Sequence, residues 1–206
     1  SFSPELFFKR TGEQCLVRPM KGTIQRGPSP EEDARLMRFL QTDEKNRSEN
    51  VMIVDLLRND LGRICTRGSV TTRSLFDIET YETLHQMTST ITGHLPPATK
   101  IELLFRALFP CGSVTGAPKI RTMEIIHELE SGPRGVYTGA IGFIAPSGEA
   151  TFNVPIRTIE LNGNKGEMGI GSGIIHESDP EQEWRECLLK GCFLSNPAPA
   201  FSLLET

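Results

Sequence analysis

Residues 6–42 read LFFKRTGEQCLVRPMKGTIQRGPSPEEDARLMRFLQT and set two β-type runs ahead of a helical segment. The β-type runs flank Thr11-Gly12-Glu13, which predicts a hairpin over residues 6–20. Ser29-Pro30 followed by acidic residues has the cap, the first-turn proline and the charge of a helix start, so we expect a helix to about Thr42. Strands joined by a tight turn pair antiparallel, so this stretch favours an antiparallel sheet.

Outside this stretch, helical and strand patterns mix without the regular alternation of a parallel sheet. Helices are predicted over residues 44–58, 99–109, 118–129 and 180–193, and extended segments over residues 81–95, 136–145, 150–162 and 168–175. The predicted class is therefore α+β with antiparallel sheet, rather than a doubly wound α/β fold.

The composition restricts the functional classes. The 206 residues include 22 Lys and Arg against 26 Asp and Glu, for a net charge of -4, which disfavours a nucleic-acid partner. No apolar run approaches the roughly 18 residues of a membrane helix, so no membrane partner is expected. Five cysteines with neither a CxxC pair nor a zinc spacing indicate reduced thiols and predict a cytoplasmic location.

Two glycine-rich segments are candidate anion sites. The loop Pro110–Lys119 leads into a predicted helix, and free backbone N–H groups at a helix start favour a carboxylate or a phosphate. The alternative is a tight turn with proline at the first helical position. Gly169, Gly171 and Gly173 interrupt a predicted strand, which indicates either a close approach to the backbone or a bulge at a sheet corner.

Acidic side chains form a candidate metal site. On the predicted last helix, Glu183, Glu186 and Lys190 share one face, and carboxylate oxygens suit Mg²⁺. The alternative is a solvated helix with a Glu186–Lys190 ion pair. Glu49, just ahead of an apolar run, is a third candidate carboxylate, and its alternative is again an exposed surface position.

Three further side chains could act on a ligand. His85 is a candidate acid or base, with a structural role as its alternative. Tyr137 and Arg157 fall on two predicted strands, and the arginine fork matches a carboxylate, although a surface ion pair is the alternative. Taken together, the candidates predict a small, strongly anionic ligand.

Ordered motifs along nearly the whole chain resemble those of the chorismate-binding enzymes. They are Ser3-Pro4-Glu5, Met20-Lys21-Gly22-Thr23, Glu49–Arg63, His85 with Ser89-Thr90-Ile91, Pro110–Lys119, Tyr137–Gly142, Ile156-Arg157-Thr158, Gly171–Ile174 and Glu183–Lys190. The resemblance implies the carboxyl-terminal part of the α/β sandwich typified by anthranilate synthase component I, with large antiparallel sheets and outer helices.

Lys21 indicates the branch of the family. By resemblance, anthranilate-forming enzymes carry Ala at this position, and enzymes that form 4-amino-4-deoxychorismate for para-aminobenzoate and folate carry Lys. The resemblance implies that the Lys21 amine attacks ring C2 of chorismate and expels the C4 hydroxyl, after which ammonia adds at C4. A glutamine amidotransferase partner would supply the ammonia. The alternatives are an anthranilate-forming component and a non-catalytic fragment of either enzyme, in which Lys21 would be an ordinary solvated loop residue.

The resemblance also implies roles for other matching positions. They are Glu49, Glu183 and Glu186 for Mg²⁺, then Thr115, Gly116, Ala117 and Lys190 for an anion cradle, and Tyr137, Arg157 and Gly171 for the enolpyruvyl carboxylate. His85 would act as an acid beside the departing C4 hydroxyl. Asn46 departs from the family pattern, which often has an acidic residue there.

The domain organisation follows from the same resemblance. Residues 1–195 would form the chorismate-binding catalytic domain, and its amino-terminal part would precede Ser1, so we expect a segment of a longer protein. Residues 196–206 would form a linker and the start of a following domain, because Asn196–Ala200 has a Pro/Ala linker composition.

Overall fold

The structure, a computed structural model, describes residues 1–82, 84–176 and 178–191, apart from the side chain of Leu189. Among these residues, the strands are β1 (Leu6–Thr11), β2 (Gln14–Arg18), β3 (Met20–Gln25), β4 (Thr71–Thr80), β5 (Leu84–His94), β6 (Ile141–Ile144), β7 (Ala150–Asn153), β8 (Ile159–Asn162) and β9 (Lys165–Met168). The helices are α1 (Pro30–Thr42), α2 (Glu44–Gly62), α3 (Ile101–Leu108), α4 (Lys119–Leu129) and α5 (Pro180–Gly191). The predicted linker, residues 196–206, lies outside the described residues.

Most of the described strands form one antiparallel sheet. Its order is β3-β5-β2-β1-β7-β6, and β4 pairs with the remaining side of β5. The predicted first hairpin is confirmed, because Thr11 lies opposite Gln14 and Gly12 takes a φ of 58°, a left-handed conformation that glycine adopts without strain. β8 and β9 form a separate two-stranded sheet. The prediction of an α+β fold with antiparallel sheets is therefore confirmed.

Strand β5 organises the sheet around the later site. It has 11 residues and pairs with β4 along one side, and with β3 and then β2 along the other. Successive side chains of a strand point to opposite faces, so His85 and Gln86 face opposite ways. In the pairing with β3, Gln86 lies opposite Thr23, two residues beyond Lys21.

The first two helices begin where the sequence predicts. The Ser29 hydroxyl accepts a hydrogen bond from the Glu32 backbone N–H and caps α1, and the Asp43 carboxylate caps α2 in the same way. Helix α2 continues to Gly62, four residues beyond the predicted end. Its later turns remain helical because they bury Leu57 and Leu61 almost completely, and each buried side chain of this size stabilises the fold by about 1.5–3 kcal/mol.

An aromatic cluster fills the core between α3 and the strands. Phe8 and Phe105 meet edge to face with ring centroids 5.4 Å apart, and Phe105 and Phe152 do so at 4.9 Å. Such pairs add about 0.5–1.5 kcal/mol beyond the area they bury. No described helix has both the length and the apolar character needed to cross a membrane.

Three predicted strands are wrong in whole or in part. Residues 136–139 form turns ahead of β6, and the segment 150–162 divides into β7 and β8. The division falls at Pro155, which has no N–H to donate to a sheet. Beyond Met168, the glycine-rich residues predicted as a strand are irregular, and they lie against side chains of the cavity described next.

Candidate active site

A cavity of about 450 Å³ collects side chains from β3, β5, α2, α5 and the loops between them. Its lining is dominated by charge. The basic members are Lys21, Lys45, Arg134, Arg157 and Lys190, and the acidic members are Glu5, Glu49, Glu130, Glu183 and Glu186. Because both signs line one space, the cavity suits an anionic ligand together with a cation or a proton donor.

Lys21 projects from β3 into this cavity. A Cβ atom added to Gly173 would lie 3.0 Å from the Lys21 Nζ and 3.9 Å from the Glu49 Oε2. The amine and the carboxylate therefore face the same backbone segment. Gly22 follows Lys21 with a left-handed φ of 92°. A Cβ atom added to Gly22 would lie 2.9 Å from the Asn46 Oδ1. Glycine is thus required directly after the lysine.

Glu5 is a functional candidate that the sequence reasoning missed. Its side chain lines the cavity although the residue is only 3% exposed, and its Oε1 has no hydrogen-bond partner among the described residues. Burial raises its pKa to about 7, and the hydrogen bond from Ser113 and the positive charge of Lys21 only partly lower it. The motif Ser3-Pro4-Glu5 was the available signal, because it was already part of the resemblance.

The carboxylates of Glu49, Glu183 and Glu186 face the cavity from two helices. Burial raises the pKa of Glu49, and repulsion from the other two carboxylates raises it further, while Lys21 and Lys45 lower it. Burial also raises the pKa of Glu183, but hydrogen bonds from Ser178 and Ser172 outweigh that effect and lower it overall. Mutually repelling carboxylates at one cavity wall are a donor set that fits Mg²⁺.

Two of these acids have other partners in this structure. Lys190 pairs with Glu186 at 2.6 Å, and the Ser178 hydroxyl donates to Glu183 at 2.7 Å. Among the described residues, no three His, Cys, Asp or Glu side chains are grouped closely enough to hold a metal ion. Since Mg²⁺ takes only one or two protein carboxylates and keeps several waters, such a tight group is not required.

Arg157 is a candidate anion site in the lining of the same cavity. Burial lowers the pKa of its guanidinium, and within residues 1–82, 84–176 and 178–191 this group makes no salt bridge or hydrogen bond. Tyr137 stands nearby in the lining, and its ring packs against Gly169 and Gly171 so closely that a Cβ on Gly171 would lie 2.7 Å from the hydroxyl. The predicted close approach to the glycine backbone is thus made by Tyr137, and at Gly173 by Lys21.

Several predicted site residues do not reach the cavity. His85 is fully buried on the far face of β5, where Nε2 contacts Asp33 at 2.8 Å and Nδ1 contacts the Thr80 hydroxyl at 2.9 Å. The neighbouring Gln86 lines the cavity instead. The strand alternation explains this result, because a shift of one residue moves a side chain to the other face.

The loop Pro110–Lys119 contributes different residues from those predicted. A 3-10 turn at Gly112–Val114 directs Ser113 and Val114 to the cavity, whereas the described lining does not include Thr115, Gly116 or Ala117. The Thr115 hydroxyl donates to the Cys111 carbonyl at 3.0 Å and so closes the turn on itself. Lys190 does line the cavity, where its ammonium donates to the Gly171 carbonyl at 3.0 Å.

Comparison with known proteins identifies the family. The sequence model for chorismate binding enzymes matches residues 1–196. The chain belongs to the chorismate-binding enzyme family. The chain is 48% identical to aminodeoxychorismate synthase of Streptomyces griseus, and the match covers 100% of the chain and 28% of that protein. Component 1 of the Escherichia coli enzyme is 42% identical over 90% of the chain and 41% of that protein.

Other relatives of this chorismate-binding chain carry a different name. Anthranilate synthase component 1 1 of Haloarcula marismortui is 42% identical over 95% of the chain and 40% of that protein. The crystal structure of anthranilate synthase component I from Streptococcus pneumoniae matches with a TM-score of 0.84 and 34% identity, covering 94% of the chain and 42% of that protein. The chain thus spans well under half the length of these relatives. The resemblance predicted from the motifs, and the fold that it implied, are both confirmed.

Proposed function

We propose that the protein aminates chorismate at C4 with ammonia and forms 4-amino-4-deoxychorismate. The observation that carries this proposal is the shared cavity, in which the Lys21 amine and the buried, proton-holding Glu5 carboxyl face the same space as the unpaired Arg157. Identity of 48% to an aminodeoxychorismate synthase, over 100% of the chain and 28% of that protein, supports this choice of reaction. Product and substrate both keep two carboxylates, which suits the cationic lining.

The reaction would proceed through a covalent bond to Lys21. Its neutral amine attacks C2, the ring double bonds shift, and the C4–O bond breaks while Glu5 donates its proton, so that the hydroxyl leaves as water. Glu5 then regains a proton from the lysine nitrogen. Ammonia attacks C4, the double bonds shift back and the C2–N bond breaks, while a proton passes from the added nitrogen to the lysine nitrogen, which restores the lysine. The sum is chorismate plus ammonia giving 4-amino-4-deoxychorismate plus water.

Binding would fall to groups around this pair. Arg157 and Tyr137 are suited to the enolpyruvyl carboxylate, because a half-buried guanidinium without an acid partner gains most from a bidentate anion. Glu49, Glu183 and Glu186 would hold Mg²⁺, a proposal that rests on their donor chemistry. When bound, the ion would neutralise the ring carboxylate and help to orient it. We further propose that a glutamine amidotransferase partner supplies the ammonia, in keeping with the relatives named component 1.

Substitution of Lys21 tests the reaction. Lys21→Ala in the intact protein should lower C4 amination by about 10³-fold or more, because the nucleophile is lost, while calorimetry still detects chorismate binding. Lys165→Ala, at an exposed position of β9, is the matched control and should keep the activity. Unchanged turnover by Lys21→Ala would contradict the role of the amine.

Anthranilate formation is the second candidate, favoured by the 42% identity to an anthranilate synthase component 1. The two reactions separate in a single assay of protein, chorismate, ammonium and Mg²⁺. If fluorescent anthranilate forms without an added lyase, the protein is an anthranilate-forming enzyme and the proposed C4 amination is wrong. A product that becomes para-aminobenzoate only after a lyase is added would support the proposal.

A further inference from the structure

Gln86 has an unpaired hydrogen-bond acceptor in the wall of the cavity. The residue is 7% exposed and lines the cavity, yet its Oε1 has no hydrogen-bond partner among the described residues. A buried polar atom without a partner is destabilising, so a ligand that donates a hydrogen bond to this oxygen would gain affinity. The sequence reasoning did not single out this residue.

The amide nitrogen of Gln86 is engaged by a neighbour. Gln86 Nε2 donates to the Thr23 hydroxyl at 3.1 Å, and the two residues are direct partners across the β3–β5 pairing. With the nitrogen engaged, the carbonyl oxygen is the free end. A glutamine carbonyl accepts but does not donate, so its ligand must carry an N–H or an O–H.

Two groups in the proposed reaction can donate to this oxygen, namely the C4 hydroxyl of chorismate and ammonia. An acceptor that binds the hydroxyl proton leaves more electron density on that oxygen and makes it a poorer leaving group. An acceptor that binds an ammonia N–H makes the nitrogen lone pair a better nucleophile. The chemistry therefore favours ammonia.

The charge of the acceptor also matters. A carboxylate in this position would attract ammonium, which has no lone pair for the attack, whereas an amide carbonyl is neutral. The acidic residues of the cavity lie on α2, on α5 and on segments outside β5. Gln86 lies on β5, which pairs with β3, the strand that carries Lys21. A neutral acceptor beside the nucleophilic lysine is thus suited to uncharged ammonia.

We propose that Gln86, oriented by Thr23, is a binding site for the attacking ammonia molecule. The inference rests on the proposed amination at C4 and adds a site for its second substrate. It predicts that this side chain controls the response of the enzyme to ammonia rather than to chorismate.

The test uses the intact protein with ammonium chloride as the ammonia source and measures KM for each substrate. Gln86→Met keeps the shape but removes the acceptor, and should raise the KM for ammonia about tenfold with chorismate binding changed less than about twofold. Gln86→Glu keeps an acceptor oxygen but adds charge, and should bind ammonium while lowering kcat. Gln41→Met, at an exposed position of α1, is the matched control.

The outcomes distinguish this inference from the proposed function. If the unsubstituted protein makes no 4-amino-4-deoxychorismate, the proposed function fails first. If it does, and Gln86→Met weakens chorismate binding while the KM for ammonia stays the same, the oxygen binds the C4 hydroxyl and the ammonia site is overturned. Unchanged values for both substrates, in a variant whose calorimetric chorismate binding shows it to be folded, would also overturn it.

Discussion

Glu5 combines deep burial with a place beside a lysine, and the balance of these effects decides its protonation. Loss of solvation penalises the charged carboxylate more than Lys21 and Ser113 stabilise it, so the pKa rises to about 7. A carboxyl group with this pKa can hold a proton near neutral pH and release it within one catalytic cycle. Such a residue is suited to a leaving group that departs as water.

Protonation of Glu5 should make the rate of C4 amination depend on pH. At a fixed concentration of uncharged ammonia, the rate of C4 amination should fall as pH rises above about 7, because the acid is lost. Glu5→Gln should lower the rate by about 10²–10⁴-fold and remove that limb. Ser113→Ala removes a hydrogen bond that lowers this pKa, so the limb should move to higher pH. A profile of the same shape in Glu5→Gln would contradict the assignment.

The free energy of unfolding should depend on pH through the protonation of Glu5. The folded pKa of Glu5 lies above its ordinary value of 4.5, so the folded state favours the protonated form. The associated stability is present below about pH 4.5 and is lost as pH rises through about 7. Thermal unfolding of Glu5→Gln against the unsubstituted protein should therefore show a gap that widens in favour of the variant between pH 5 and 8.

At the scale of elements, one buried ion pair ties the loop after α3 to α2. The Lys119 ammonium, at the start of α4, lies 2.5 Å from the Asp60 Oδ2 and also donates to the Leu108 carbonyl at 3.2 Å. Lys119 was part of the glycine-rich segment in which the sequence indicated anion binding. Its charge is instead neutralised by Asp60.

Removing this lysine should be costly. Lys119→Met leaves Asp60, whose side chain is 4% exposed, buried without a partner, and should lower the free energy of unfolding by about 3–5 kcal/mol. Arg121→Met, which breaks the exposed pair with Glu124 on the same helix, is the matched control and should cost less than about 1 kcal/mol. Urea denaturation measures both, and equal losses would refute the role of the buried pair.

At the scale of the whole molecule, the site unites residues far apart in the chain. Glu5 precedes the first strand, Glu49 lies on α2, and Glu186 lies on the last described helix. The fold alone brings their carboxylates to one cavity. Helix α2 packs on β3 and β5, and both α2 and α5 contribute to the lining. Ligand binding should therefore depend on the complete arrangement rather than on any one motif.

The proposed Mg²⁺ site should control chorismate binding. Calorimetry of the intact protein should show chorismate binding that depends on Mg²⁺, and Glu49→Gln should weaken it by about 10- to 100-fold. Glu44→Gln, an exposed acid in the first turn of the same helix, is the matched control and should bind normally. A folded protein that gives no heat with chorismate and Mg²⁺ would support a non-catalytic fragment instead.

The sequence alone determined those features that depend on neighbouring residues. The hairpin around Gly12, the capped starts of α1 and α2, the α+β class and the family motifs are local patterns, and backbone geometry and side-chain type specify them over a few positions. The branch of the family was predicted from the resemblance, at the single residue Lys21.

Only the tertiary structure decided which side chains share the cavity. His85 and Gln86 are adjacent in sequence, but strand pairing places one against Asp33 and the other in the lining of the cavity. The burial that raises the pKa of Glu5, and the turn that admits Ser113 rather than Thr115, arise from contacts across the chain. The direction in which a side chain points, and how much water surrounds it, depend on the surfaces packed around it. Both are therefore fixed only when distant segments of the chain meet.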